Sequence, residues 1–126
     1  MRTAFVAAHA VVAATLVDDT FEASHFPHDR SPLTLAGAGA IAVGLLLVAP
    51  KARSLVISLG AGIAAGGAAA TLVAGAAWRD GVPNPLVRDG VAFNLADLAI
   101  AGGDTVLLAA ALMHAWRHRD RLYEPV

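Results

Sequence analysis

Few residues of this 126-residue sequence could do chemistry, because only 15% of them are charged. Two ionisable residues, His9 and Asp104, fall inside long apolar segments. An ionisable group in such a segment faces the interior of a helix bundle and needs a partner there. The two residues are expected at a similar depth, so we predict a buried His9 to Asp104 contact if the first and last helices are neighbours. Such a pair stabilises the bundle or carries protons.

A second group lies between the first two apolar segments, where His25 and His28 follow several acids. Two histidines three residues apart could ligate a metal if they were on a helix. Pro27 lies between them, however, and the residue before a proline is disfavoured in helix. We therefore predict a hydrated acidic loop at residues 18–32 and no metal site.

The composition excludes several classes of protein. Hydrophobic residues make up 57% of the chain and the mean hydropathy is +0.63, whereas a soluble domain is about one quarter charged. The chain has no cysteine, which excludes disulfide scaffolds and thiolate metal sites. A formal net charge of -1 gives no indication of a nucleic-acid partner. A membrane protein in contact with lipids is the remaining class.

Four apolar segments predict an all-α, polytopic membrane protein that folds as a single four-helix transmembrane domain over residues 1–126. A span needs roughly 20 residues, so the short first segment must use residues beyond its acidic end. Two prolines between the last two segments favour a shaped turn there. Gly62 and Gly66 form a small-xxx-small face for helix packing. The predicted spans are 3–19, 33–49, 54–77 and 91–116, and the predicted external loops are 18–32 and 78–90.

The cations indicate the orientation, because Lys and Arg collect on the cytoplasmic side of a membrane. Six of the nine cations fall on one side of the predicted spans, with both termini, and seven of the ten acids fall on the other. Both termini are therefore predicted to be cytoplasmic. A cleaved signal peptide at residues 2–14 is the alternative, but its removal would leave an odd number of spans. The cytoplasmic cations are Arg2, Lys51, Arg53, Arg117, Arg119 and Arg121.

The start of the last span, Phe-Asn-Leu-Ala-Asp-Leu-Ala-Ile at residues 93–100, resembles the Phe-Asn-x-Ala-Asp-x-x-Ile signature of lipoprotein signal peptidase (signal peptidase II). Residues 66–68, Gly-Gly-Ala, resemble the start of another motif of that family. Four spans and cytoplasmic termini agree with it too. The resemblance implies an aspartic endopeptidase of the bacterial inner membrane that acts on prolipoproteins at the external face and needs no cofactor.

In that family two aspartates share one proton and activate water, and Asp97 matches the second of them. Two carboxylates held close cannot both ionise cheaply, so one serves as acid and the other as base. The first aspartate is expected in a Gly-x-Val-x-Asp-Phe stretch, which reads here as Gly-Val-Pro-Asn-Pro at residues 81–85. Asn84 takes the position of the missing acid and cannot ionise. Asp80 or Asp89, in the same external loop, could supply the second carboxylate instead.

Two hypotheses follow from this departure. The chain is a signal peptidase II-like endopeptidase acting on lipid-modified prolipoprotein, or it is a non-catalytic relative that serves as an accessory subunit beside other integral membrane proteins. The structural interpretation of Asp97 is a carboxylate favoured near the positive end of a helix. Asn94 could cap the same helix or bind substrate.

Overall fold

The computed structural model describes residues 2–22, 31–52, 54–78, 81–84 and 86–119. Most of these residues are helical, as the sequence predicts. A short 3₁₀ turn, Ala49–Ala52, joins the second helix to the third, and a two-stranded hairpin precedes the fourth. The helices are α1 (Arg2–Glu22), α2 (Pro32–Val48), α3 (Leu55–Ala77) and α4 (Leu95–Arg117).

Three of the helices, α1, α3 and α4, are long and apolar enough to cross a membrane. The first continues through its acidic residues to Glu22, which supplies the length that the apolar segment alone lacks. The second, α2, is equally apolar in character but has 17 residues, or about 26 Å of helix, against a hydrocarbon core of roughly 30 Å. Three helices therefore have the length and composition of membrane spans, and α2 is shorter than they are.

The predicted fourth span begins too early, because residues 91–93 form a strand and the helix starts at Leu95. The strands β1 (Leu86–Arg88) and β2 (Val91–Phe93) are antiparallel, with Leu86 opposite Phe93. Between them Asp89 and Gly90 have φ angles of 53° and 80°, the positive values that a tight two-residue hairpin turn needs. The predicted shaped turn is thus a hairpin that delivers the chain to α4.

The third helix is the centre of the fold. Twelve of its 23 residues are buried, nearly all of them Ala or Gly, and it packs against each of the other three helices. Helices α1 and α4 contact each other far less than either contacts α3. Small residues allow this arrangement, because they let neighbouring backbones approach closely. Most of the side chains that α3 buries are correspondingly short.

The predicted small-xxx-small face of α3 forms its contact with α1. Gly62 lies against the backbone of Ala4, and Gly66 lies against the backbone of Ala8. A Cβ at position 66 would stand 2.7 Å from the Ala8 carbonyl oxygen, so only glycine fits there. The residue numbers of the contacting pairs increase together on the two helices, so α1 and α3 run in the same direction.

The fourth helix runs in the opposite direction on α3. Gly60 faces Gly103, and Gly67 faces Ala96, so the numbers fall on one helix as they rise on the other. The N-terminus of α4 therefore lies beside the C-terminus of α3, and hence beside the C-terminus of α1.

The second helix is also antiparallel to α3, since Gly39 lies against Leu72 and Gly75 against Leu35. The four helices thus alternate in direction along the chain. The ends of α1 and α3 and the beginnings of α2 and α4 share one end of the bundle, which we call the hairpin end because residues 81–94 belong to it.

Two neighbouring glycines of α4 test the close packing directly. A Cβ at Gly103 would stand 2.6 Å from the Gly60 carbonyl oxygen, whereas a Cβ at Gly102 would have nothing within 4 Å. We expect Gly103→Ala to lower the free energy of unfolding by roughly 1–3 kcal/mol through overpacking. Gly102→Ala should be neutral or stabilising by up to about 1 kcal/mol, because alanine favours helix. Unfolding in detergent measures both, and equal stability of the two variants would contradict the packing.

Candidate functional site

A group of polar side chains lies at the hairpin end of this otherwise apolar bundle. Thr15 and Asp19 come from α1, Asn84 from the segment before the hairpin, and Asn94 and Asp97 from the start of α4. The first four are fully or almost fully buried, and Asp97 is partly buried. We call these five residues the polar cluster. Buried polar groups in apolar surroundings cost free energy, so their concentration at one end marks the candidate site.

The start of α4 fixes the position of Asp97. Asn94 is the N-cap residue, and its Oδ1 accepts a hydrogen bond from the Asp97 backbone N–H at 3.0 Å. The Asp97 Oδ2 in turn accepts from the Asn94 backbone N–H at 3.2 Å. This reciprocal capping box satisfies two backbone donors at the helix end, where a negative charge is also favoured by the helix dipole. The predicted capping by Asn94 is present. One oxygen of the Asp97 carboxylate is held by the backbone N–H of Asn94.

Asn94 also ties the preceding segment to α4. Its Nδ2 donates a hydrogen bond to the Pro83 carbonyl oxygen at 3.0 Å, and the Nδ2 of Asn84 donates to the Val82 carbonyl oxygen at 3.1 Å. Val82, Pro83 and Asn84 are all buried. The segment that carries Asn84 is therefore packed against the beginning of α4, and Asn84 and Asp97 belong to one end of the molecule.

Asp19 and Thr15 are the residues of the cluster that sequence reasoning missed. The Asp19 side chain is fully buried, and neither carboxylate oxygen accepts a hydrogen bond from any described residue. Burial separates the carboxylate from water, and the charges of Asp18 and Asp97 both act on it as well. One helical turn earlier, the buried Thr15 hydroxyl likewise lacks a partner among the described residues. The structure thus brings two carboxylates, Asp19 and Asp97, within electrostatic range of each other.

The spacing of buried residues on α1 explains how Asp19 comes to face the bundle. Ala4, Ala8, Thr15 and Asp19 are all buried and lie four or seven residues apart on one helical stripe. Ala4 and Ala8 meet the glycines of α3, and the stripe continues with polar residues towards the hairpin end. This register is the signal that could have identified Asp19. Its acidic type alone assigned it to a hydrated loop.

Asp80 and Asp89 are the two carboxylates that the sequence offers in the external loop, and the structure describes only Asp89. Asp80 lies outside the described residues. Asp89 lies at the tip of the hairpin, with a side chain 91% exposed and its Oδ2 3.7 Å from the Arg88 Nε. A side chain in that environment is hydrated and paired with a cation. The structure therefore does not place Asp89 in the polar cluster.

The expected His9 to Asp104 contact is wrong. The His9 side chain is exposed, and its Nδ1 lies 2.7 Å from the Phe5 carbonyl oxygen one turn earlier on α1. Asp104 is also exposed and lines a groove between α2, α3 and α4, on a different side of α4. The position of a residue along an apolar segment does not specify the rotation of its helix about the helix axis.

The predicted absence of a metal site concerned His25 and His28, which lie outside the described residues. Over the ranges that the structure describes, no three His, Asp or Glu side chains come together as possible ligands. The polar cluster offers two carboxylates, a hydroxyl and two amides.

An apolar groove runs beside the polar cluster, between α1 and α4. It has a volume of about 430 Å³ and is open to the surroundings of the bundle. Ala14 and Leu98 line it and are the chain neighbours of Thr15 and Asp97. The groove exists because α1 and α4 each pack on α3 and leave space between themselves. Its remaining lining residues are Ala10, Val11, Leu95 and Ala99.

Asn94 carries two structural roles, and its replacement tests both. Asn94→Ala removes the helix cap, which costs about 1 kcal/mol, and leaves the buried Pro83 carbonyl without its donor, which costs roughly 1–3 kcal/mol more. Ser31→Ala, at the exposed N-cap of α2, is the matched control and should cost about 1 kcal/mol or less. Unfolding in detergent compares the two variants. Equal losses would contradict the anchoring of the buried segment by Asn94.

Comparisons of the chain with protein-family models, with curated proteins and with solved structures found no match. The polar cluster is therefore interpreted from its own geometry.

Proposed function

We propose that this chain is a membrane endopeptidase of the aspartic type, similar to signal peptidase II, in which Asp97 is one of the catalytic carboxylates. The observation that carries the proposal is the buried polar cluster at one end of an apolar bundle, with Asp97 oriented by the capping box. Perturbed, buried ionisable groups concentrate at functional sites, because their burial costs stability.

The membrane arrangement belongs to the same proposal. Four spans place the chain in the bacterial inner membrane, with both termini in the cytoplasm and the polar cluster at the external face. The alternating helix directions support an even number of crossings, and the positive-inside distribution of Lys and Arg supports the orientation. The 3₁₀ turn Ala49–Ala52 lengthens the short α2, and Lys51 in that turn lies at the cytoplasmic boundary.

The reaction is hydrolysis of a peptide bond by an activated water. A carboxylate removes a proton from water while the water oxygen bonds to the carbonyl carbon, and the protonated partner carboxyl gives its proton to the carbonyl oxygen. The carbon–nitrogen bond of the resulting diol then breaks, the amine takes a proton, and the acid and amine fragments leave. The polar cluster is suited to this step because Asp97 is fixed by two hydrogen bonds and adjoins buried, weakly hydrated surroundings.

The apolar groove between α1 and α4 supports a lipid-anchored substrate. It is lined throughout by apolar side chains, and two of them, Ala14 and Leu98, are the chain neighbours of Thr15 and Asp97. An acyl chain of a lipid-modified prolipoprotein could lie there while its peptide bond approaches Asp97 from the membrane. Membrane lipids are the other partners, and the mechanism requires no metal or organic cofactor.

An accessory role in a membrane complex is the second candidate. Two observations favour it: Asn84 stands where the related peptidases have an aspartate, and the hydrogen bonds of Asp97 within the capping box also serve the helix end. Such a protein would bind other integral membrane subunits and cleave nothing. The activity of the intact chain separates the two candidates.

Replacement of Asp97 tests the proposed activity. With a synthetic diacylglyceryl-cysteine prolipoprotein peptide in lipid vesicles, we expect the intact protein to cleave the bond before the modified cysteine. Asp97→Asn should lower kcat by at least about 100-fold, because acid–base catalysis typically contributes 10²–10⁴-fold. Asp104→Asn, an exposed carboxylate on the same helix, is the matched control and should keep full activity. Absence of cleavage by the intact protein, with stable capture of other membrane proteins, would favour the accessory role.

A bulky residue in the groove tests the route of the substrate. Ala14 is exposed and lines the groove, whereas the exposed Ala13 next to it does not. We expect Ala14→Phe to raise KM for the lipidated peptide by about tenfold with little change in kcat, since it removes uniform binding. Ala13→Phe should change neither constant. Equal effects of the two substitutions would contradict binding in the groove.

A further inference from the structure

We infer that Asp19 supplies the second carboxylate of the catalytic pair, in place of the aspartate that the chain lacks at position 84. This inference rests on the proposed endopeptidase function and names the residue that completes it. Asp19 comes from α1, an element that the sequence motifs do not include.

The burial of Asp19 is the first step of the argument. A carboxylate taken out of water costs several kcal/mol unless partners replace the lost hydrogen bonds. Asp19 is fully buried, and no described residue donates to either of its oxygens. Leucine, an apolar residue, would fill the same position without this cost. A position that carries such a cost fits a site where the carboxylate itself is needed.

The second step is the position of Asp19 relative to Asp97. Helix α1 ends at the hairpin end of the bundle, and α4 begins there, because α1 and α4 run in opposite directions on α3. The electrostatic interaction between the two carboxylates is a direct result of this arrangement. They come from different helices, α1 and α4. Asp18, the residue before Asp19 on α1, is only partly buried and lies off the buried stripe.

The hydroxyl of Thr15 is a second buried polar group without a partner among the described residues, and it lies near Asp19 on α1. The side chain of Thr15 is fully buried one helical turn before Asp19. A hydroxyl can both donate and accept, so it is suited to hold a water or the carbonyl oxygen of a substrate beside Asp19. The end of α1 therefore carries one carboxylate and one hydroxyl that form no hydrogen bond with any described residue.

The two carboxylates have different surroundings, which suits different roles in the reaction. Asp97 accepts a hydrogen bond from the Asn94 backbone N–H, which fixes one of its carboxylate oxygens, and we assign it as the base. Asp19 has no donor among the described residues, which suits the acid that carries the shared proton. Asp97 takes a proton from water as its oxygen adds to the carbonyl carbon, and Asp19 gives its proton to the carbonyl oxygen. The carbon–nitrogen bond then breaks as the proton held by Asp97 passes to the amine. A hydroxyl proton of the diol returns to Asp19, so the acid and amine products leave and both carboxyl groups are restored.

The experiment compares four reconstituted proteins on the diacylglyceryl-cysteine peptide: the intact chain, Asp19→Asn, Asp97→Asn and Asp18→Asn. We expect Asp19→Asn and Asp97→Asn each to lower kcat by at least about 100-fold while KM stays within about threefold, because the lost interaction belongs to the transition state. Asp18→Asn should retain kcat within about twofold. A structural role of Asp19 would instead lower the amount of folded protein and leave the kcat of the folded fraction unchanged.

The outcomes separate the inference from the function on which it rests. Full activity of Asp19→Asn with loss in Asp97→Asn would overturn the role of Asp19 and leave the endopeptidase standing. No cleavage by the intact protein would overturn both. Thermal unfolding in detergent is the folding control: Asp19→Asn should unfold at the same temperature as the intact chain or higher, since it removes a buried charge. A loss of kcat in a variant that folds this well is the result the inference requires.

Discussion

The contact of helix backbones across the small residues of α3 is the constraint on which the rest of the structure depends. Within a bilayer, burial of apolar surface does not drive helices together, so close packing at small residues has to hold the bundle. Gly62, Gly66 and Gly67 admit α1 and α4 to the surface of α3, and larger side chains there would separate them. Because α1 and α4 have few contacts with each other, α3 sets the position of Asp19 relative to Asp97.

This packing brings the buried polar side chains together at the hairpin end. The buried stripe of α1 begins with alanines that contact the glycines of α3 and ends with Thr15 and Asp19 at the hairpin end. Helix α4 begins at the same end, with Asn94 and Asp97. Asn94 anchors the backbone there, because its side chain donates a hydrogen bond to the Pro83 carbonyl and also accepts one within the capping box. The amide at Asn84 takes part in that buried segment, and in the proposed endopeptidase the missing acid is supplied by Asp19 of another helix. The groove between α1 and α4 is the access route that we propose for a lipid-bound substrate.

Helix existence and the packing face were predictable because both depend on local sequence. Runs of apolar residues predict helices, and Gly62 with Gly66 indicates where a neighbour packs. The capping role of Asn94 was equally readable from its place before Asp97. The hairpin was not predicted, since strands of three residues leave little periodicity and only Asp89 with Gly90 indicates the turn.

Long-range relations between helices were harder, because a sequence gives depth along a helix more readily than rotation about it. The sequence predicts a similar depth for His9 and Asp104, but the two side chains face different surroundings and their predicted contact does not form. Asp19 is the converse case: its charge suggested water, while its register with Ala4 and Ala8 turns it towards α3. The α1 stripe outweighs the preference of one carboxylate for solvent, because a helix rotates as a unit.

A double-mutant cycle on the free energy of unfolding tests the central claim most directly, since it reports the Asp19 to Asp97 interaction without any substrate. Asp19→Asn and Asp97→Asn each remove the same repulsion between like charges at mildly alkaline pH. We predict that the double variant differs from the sum of the single variants by at least about 0.5 kcal/mol, with a smaller gain than the sum. The parallel cycle of Asp19→Asn with Asp104→Asn should be additive within about 0.3–0.5 kcal/mol. Additivity in both cycles would contradict a shared carboxylate site.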